Sequence, residues 1–241
     1  MNKFFTSLML AVMLLSSTIV AKENTTEIKN LEQTLEKYKE LTLKLDMAGT
    51  LEYNYPAVFK IMPKEMLLKQ AEMVKESGKM PKIKTFTYTI VKPLKSFDKG
   101  LYALVNYSTT MEMNIMPPVD KSDKEAYAKV QSMLDDPEKL KSFKSFTLKM
   151  LRMQLGKEAK IESEEKSMLV KIEKPSLFIA INEENKGWKF VEPNPMMLSQ
   201  LKPLLPKQIV ENEKEIFNVK TLTKKEQMAE MRKMLGAGAQ K

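Results

Sequence analysis

The side chains in this sequence that could do proton chemistry are carboxylates and phenols: Asp46, Glu52, Tyr53, Tyr55, Tyr88, Tyr102 and Tyr107. A buried carboxylate acting as base beside a tyrosine donor is a workable acid–base pair. Histidine and cysteine are both absent. That removes the usual base near neutral pH, thiol nucleophiles, thiolate metal ligands, disulfides and lipid attachment at a cysteine. Charged residues make up 29% of the chain, so acids fall near tyrosines by chance, and no spacing among them forms a catalytic motif. The sequence is therefore read as non-catalytic, with no cofactor. The alternative is a pocket enzyme, or a carrier of a lipid-like ligand, using these tyrosines and a buried carboxylate.

Metal chemistry is restricted to hard oxygen ligands for calcium or magnesium. Asp120-Lys121-Ser122-Asp123 and Asp135-Asp136-Pro137-Glu138 supply acids, but lysine intervenes in the first and no calcium-loop glycine follows either. Helix capping explains both better, and no metal site is expected. The seven glycines are scattered and form no phosphate loop.

These residues need elements to hold them. Residues 1–21 stand apart, with Lys3, an apolar run from Phe4 to Val20, and Ala21 before Lys22-Glu23-Asn24. This is the pattern of a signal peptide cleaved after Ala21, with an uncleaved anchor as the alternative. It predicts export to the periplasm or the extracellular space. Formal net charge is +9, and removal of Lys3 leaves +8 on residues 22–241. Lysines alternate with glutamates along the chain, as on a solvated face, and no basic block with interleaved aromatics appears; a nucleic-acid partner is not expected. Of 20 methionines, Met1, Met9 and Met13 lie in the leader. The remaining 17 suit an irregular core, an apolar pocket or an adaptable outer face.

Ile28, Leu31, Leu35, Tyr38, Leu41 and Leu45 recur at helical spacing behind a cap at Thr25 or Thr26, and Gly49 breaks or bends that helix. The stretch from Tyr53 to Glu65 carries three aromatics and two prolines. It reads as the joint that folds the helices onto a sheet, Pro63 opening a further helix to about Glu76 with Leu67, Ala71 and Val74 on one side and Met66, Gln70 and Met73 beside them. From Lys82 the period becomes two, with Thr85, Thr87 and Thr89 opposite Phe86, Tyr88 and Ile90. Asp98-Lys99-Gly100 turns into a long strand in which Leu101, Ala103, Val105, Tyr107, Met111 and Met113 face the core and Tyr102 lies on the wetter side. A helical insertion follows over 120–156, with Asp136-Pro137 restarting it. Strands at Ala159–Ser163, Met168–Ile172, Ser176–Ile181 and Trp188–Val191 complete the sheet, the last after a turn at Asn185-Lys186-Gly187. Helices after Asn194-Pro195, broken at Pro203 and Pro206, run to Phe217.

The class is α+β: a curved, mostly antiparallel sheet of about five or six strands packed on N-terminal helices, one domain over 22–218. Residues 219–241 form a flexible or loosely helical basic tail whose basic excess permits contact with a membrane surface.

Tyr55-Pro56-Ala57-Val58-Phe59, Met62-Pro63-Lys64-Glu65, Tyr102-Ala103-Leu104-Val105 and Gly187-Trp188-Lys189-Phe190-Val191 occur in this order of elements. Together they resemble small exported bacterial proteins with the cone of the nuclear-transport-factor-2-like (cystatin-like) class. The resemblance spans roughly residues 25–212. It implies a fold, an envelope location, a pocket and pairing into a homodimer, and it transfers no catalytic residues. Side chains placed to line such a pocket are Tyr53, Tyr55, Phe59, Tyr88, Tyr107, Met111 and Trp188. The expected role is binding of a small apolar ligand or of an envelope protein partner.

Overall fold

Alternation of threonine with aromatic and aliphatic residues draws the chain out as a strand from Lys82, and the rest of the sheet is laid against it. The computed structural model describes residues 25–76, 80–116, 124–155, 158–163, 168–193 and 197–218. The leader 1–21, Asp120 to Asp123 and the tail 219–241 lie outside them.

The chain begins with helix α1 (25–43), then α2 (Met47–Leu51), α3 (Val58–Ile61) and α4 (Lys64–Glu76). A hairpin follows, β1 (Lys82–Phe97) and β2 (Gly100–Asn114), and then the insertion, α5 (Lys124–Leu134) and α6 (Pro137–Leu155). Strands β3 (Lys160–Ser163), β4 (Leu169–Glu183) and β5 (Lys189–Val191) close the sheet. The order is β1-β2-β4-β3, with β5 also on β4, and every strand ladder is antiparallel. A parallel bridge joins Asn54 to Phe190. This is the α+β fold expected, a curved antiparallel sheet with helices and a helical insertion between strands.

The chain divides into two compact units, one ending at Val191 and one beginning at Glu192. The second unit consists of α7 (Leu198–Leu201), a 3-10 turn (Lys202–Leu204), α8 (Lys207–Asn212) and α9 (Lys214–Phe217). It buries Leu198, Leu201, Leu205, Ile209 and Phe217. The expected single helix over Ile209–Phe217 is instead two, because Glu213 leaves helical geometry (φ −108°, ψ 37°) between them.

Four other details differ from the sequence reading. Thr25 and Thr26 are themselves helical rather than caps. The first helix ends before Gly49: Leu45 takes a left-handed φ of 57°, and Asp46 then caps α2 by accepting from the Gly49 amide at 2.8 Å. Met168–Ile172 and Ser176–Ile181 are not separate strands but parts of β4, which continues through Pro175. Proline is tolerated because β3 pairs only as far as Glu173 and β5 only from Ile179, so that side of β4 has no ladder at Pro175. Tyr102, assigned to the wetter face, is 0% exposed, and Ile179 and Ile181 beside it are equally buried. Alternation alone cannot identify the face of a strand buried on both sides.

The face carrying Ala103 and Val105 holds two apolar clusters. Leu31 and Leu35 of α1 pack with Phe86, Leu94, Ala103, Val105, Phe178, Ala180, Trp188 and Phe190. Farther along the same strands, Leu148, Leu151 and Leu155 of α6 pack on Ile115, Val170 and Ile172, with Met111 and Met113 alongside. Thr109, opposite Lys174, and Ser176, opposite Tyr107, lie on this face between the clusters. The Asp136 side chain accepts from the Glu138 and Lys139 amides at 3.1 and 3.2 Å, so it caps α6 as the sequence suggested.

Gly100 begins β2 directly against β4, where a Cβ would stand 2.0 Å from the Asn182 carbonyl oxygen. Because the obstacle is backbone, Gly100→Ala should lower unfolding free energy by about 2 kcal/mol or more. Urea denaturation would measure this, and an unchanged midpoint would contradict the close approach.

Candidate functional site

The aromatic residues converge at one place. Phe86 of β1, Tyr107 of β2, Phe178 of β4 and Phe190 of β5 all lie on the face beneath α1. Each ring stacks on the next: Phe86–Tyr107 at 5.4 Å, Tyr107–Phe178 at 4.0 Å and Phe178–Phe190 at 5.6 Å between centroids. Tyr53 extends the row, 6.3 Å from Phe190. These are diagonal neighbours across the ladders, the offset that long or aromatic side chains can bridge.

Tyr38 of α1 sits over the row. It meets Tyr53, Phe86, Phe178 and Phe190 with ring centroids 6.1, 5.9, 5.4 and 5.2 Å away and planes inclined at 65–86°. Edge-to-face pairs of this kind contribute about 0.5–1.5 kcal/mol each beyond their area burial. In such pairs the electropositive edge of one ring meets the electron-rich face of the other. Sequence reasoning assigned Tyr38 only to the helical stripe; nothing in its spacing marked it as the hub.

The stretch 53–65 is fixed to this site through its backbone. The Tyr55 amide donates to the Phe190 carbonyl at 2.8 Å, and the Phe190 amide donates to the Tyr53 carbonyl at 2.6 Å. Lys189 adds a bond from its Nζ to the Glu52 carbonyl and lies 5.8 Å from the Tyr53 ring centroid.

Of the residues placed in a pocket, Tyr53, Tyr88, Tyr107 and Trp188 share this cluster. Trp188 is buried, and its indole Nε1 has no hydrogen-bond partner among the described residues. Met111 belongs to the second cluster, under α6. Tyr55 is buried with its hydroxyl directed to Glu183, and Phe59 is half-buried on α3. Of the other candidates for proton chemistry, Asp46 is a helix cap, Glu52 is an exposed partner of Lys64, and Tyr102 lies on the opposite face.

Two carboxylate–tyrosine pairs do form, with acids that sequence reasoning did not select. Tyr55 donates to Glu183 at 2.8 Å, and Lys99 lies 3.7 Å from the same carboxylate. Tyr88 donates to Glu36 at 2.8 Å, and Lys39 pairs with Glu36 at 3.0 Å. The partners are 128 and 52 residues apart, so only the folded chain joins them. Burial and the carboxylate it faces push the Tyr55 hydroxyl well above the usual tyrosine value; Tyr88 is raised in the same way. The Tyr88 hydroxyl and Lys39 hold Glu36 below the usual carboxylate range. Phenols that keep their proton and a carboxylate that loses its proton readily form static hydrogen bonds. These pairs tie α1 to β1 and the 53–65 joint to β4.

Among the described residues no group of three or more acids is placed to hold a metal ion. Asp135 accepts from Gln131 at 3.2 Å, and Asp136 is occupied as a cap. No helix among them is long and apolar enough to cross a membrane. Comparison with protein-family models, with curated proteins and with solved structures returns no match.

Truncating Tyr38 removes four ring contacts at once, so Tyr38→Ala should cost about 3 kcal/mol or more. Tyr53→Ala, at the end of the row, should cost less; the reverse order in denaturant titrations would argue against the hub. The raised Tyr55 also has a signed consequence. A raised folded-state value gives stability that is fully present below the unfolded tyrosine value, about 10. That stability is lost as pH climbs from there toward the folded value. Thermal midpoints between pH 8 and pH 11 should therefore fall less steeply in Tyr55→Phe than in the parent chain.

Proposed function

We propose that this chain is a non-catalytic binding protein exported to the cell envelope, and that it grips an apolar segment of an envelope protein partner through α4. The observation that carries this reading is α4 itself. Its thirteen residues include Met66, Leu67, Leu68, Ala71, Met73 and Val74, yet none is buried. Met66 and Met73 are 51% and 61% exposed, and Val74 is exposed with them.

A short helix with this much uncovered apolar surface gains little from its own propensity and is steadied by what it packs against. Leu43 and Met47, at the end of α1 and the start of α2, add two more exposed apolar side chains. Unbranched thioethers adapt to partners of varied shape, which suits a docking face.

A protein partner is preferred to a small ligand inside the cone because the rings there already fill the space beneath α1, stacked at 4.0 to 6.3 Å. Nucleic acid is disfavoured because lysines are spent singly on neighbouring acids: Lys39 on Glu36, Lys84 on Glu112, Lys129 on Glu125, Lys160 on Glu173 and Lys186 on Glu184. Interspersed pairs of this kind, among the described residues, argue against a basic stripe that a phosphate backbone could follow. Kinship with nuclear-transport-factor-2-like cones belongs to the same proposal, supported by the order of elements and by the placing of Trp188 and Phe190 beneath α1. The leader-like pattern of residues 1–21 supports the location.

Native mass spectrometry of the protein taken from its own cell envelope tests the reading. We expect a complex with another polypeptide that disappears in Met66→Glu, Met73→Glu, while the circular dichroism of the variant stays that of the parent. A small-molecule adduct that survives those changes would replace the protein partner with a carried ligand.

A further inference from the structure

The sheet ends on one side at β1, and among the described residues no strand lies beyond it. A free edge exposes a row of backbone donors and acceptors that only another backbone can satisfy, so proteins usually guard it with lysine, proline or a bulge. Both ends of β1 are guarded in this way. Lys82 precedes one register irregularity and Lys84 falls within it, between Ile83 and Thr85; Pro93 falls within the other, between Val91 and Lys95.

The middle is not guarded. Thr85-Phe86-Thr87-Tyr88-Thr89-Ile90-Val91 has no charge and no proline, and it pairs with β2 without interruption. This window reads nearly the same in both directions about Tyr88.

We infer that β1 pairs antiparallel with β1 of a second copy of this chain, about a two-fold axis at Tyr88, joining two sheets into one. In that register Thr87 meets Thr89, Phe86 meets Ile90 and Thr85 meets Val91, each across the axis. Thr–Thr and aromatic–β-branched pairs are among the cross-strand combinations that stabilise antiparallel ladders. An isologous contact requires self-complementarity of this kind, whereas a foreign strand would not. Val91, an exposed apolar side chain, gains a neighbour.

Matching of the cross-strand pairs selects the register. Centring on Thr87 would set Lys84 against Ile90, and centring on Thr89 would set Lys92 against Phe86 and bring Pro93 into the ladder. The axis at Tyr88 keeps all three outside the window, just beyond which Lys84 falls opposite Lys92 of the other copy. Lys84, already held by Glu112 at 2.9 Å, then stands at its boundary. The inference uses a different surface from α4 and does not depend on the partner proposed above.

Because the chain has no cysteine, single cysteines report the register directly. Thr87→Cys and Thr89→Cys are made separately in the full-length chain and oxidised alone and mixed. We expect a disulfide-linked dimer in the mixture and none from either variant alone. In sedimentation, the cysteine-free chain should show a dimer that Thr87→Lys abolishes without changing the circular dichroism or the thermal midpoint. The inference is overturned by a chain that sediments only as a monomer, by a dimer that persists in Thr87→Lys, or by either cysteine variant linking to itself.

Discussion

Tyr38 lies steeply inclined to four rings contributed by three strands and the 53–65 joint, and that contact sets the position of the first helix. Leu31 and Leu35 supply apolar area on the same side of α1, but aliphatic burial has no preferred angle. Edge-to-face aromatic contacts do, because the ring quadrupole favours an inclined approach. The row beneath can exist only if the strands keep their order, since each ring stacks on the next strand's ring. Helix placement and sheet topology are therefore one constraint. In a chain without disulfides, it does by packing what a covalent cross-link would otherwise do.

The joint between Tyr53 and Glu65 depends on the same row. Two backbone bonds fasten it to Phe190, and the Tyr55 hydroxyl reaches the far end of β4 at Glu183. A short stretch thus bonds to two strands at once while leading into α4, which buries nothing. A firmly bonded joint stands beside a helix whose apolar residues Met66, Met73 and Val74 are exposed.

Much of the architecture was legible in the sequence. The shift from a period near four to a period of two at Lys82 located the hairpin, and Asp136-Pro137 located the start of α6. The Gly187-Trp188-Lys189-Phe190 segment marked the final strand. What could not be read depends on contacts distant in sequence. Tyr102 resembles a solvent-side residue because alternation assumes that one face is wet. Pro175 resembles a strand break because its missing partner on one side is a property of β3 and β5, not of its neighbours in the chain. Glu36 and Glu183 are ordinary acids until the fold brings a phenol to each. The tyrosines were visible as candidates, but their assembly into a stacked row required the register of four strands.

One further consequence follows from the small polar strip, Thr109 with Lys174 and Ser176, that separates the two apolar clusters along β2 and β4. The strands run uninterrupted beneath both, yet the greasy patches never merge. The aromatic half and the α6 half share a spine without sharing a core. Loosening the insertion would therefore uncover one patch and leave the other anchored on the same hydrogen-bonded ladder, so each end of the sheet keeps its own cover.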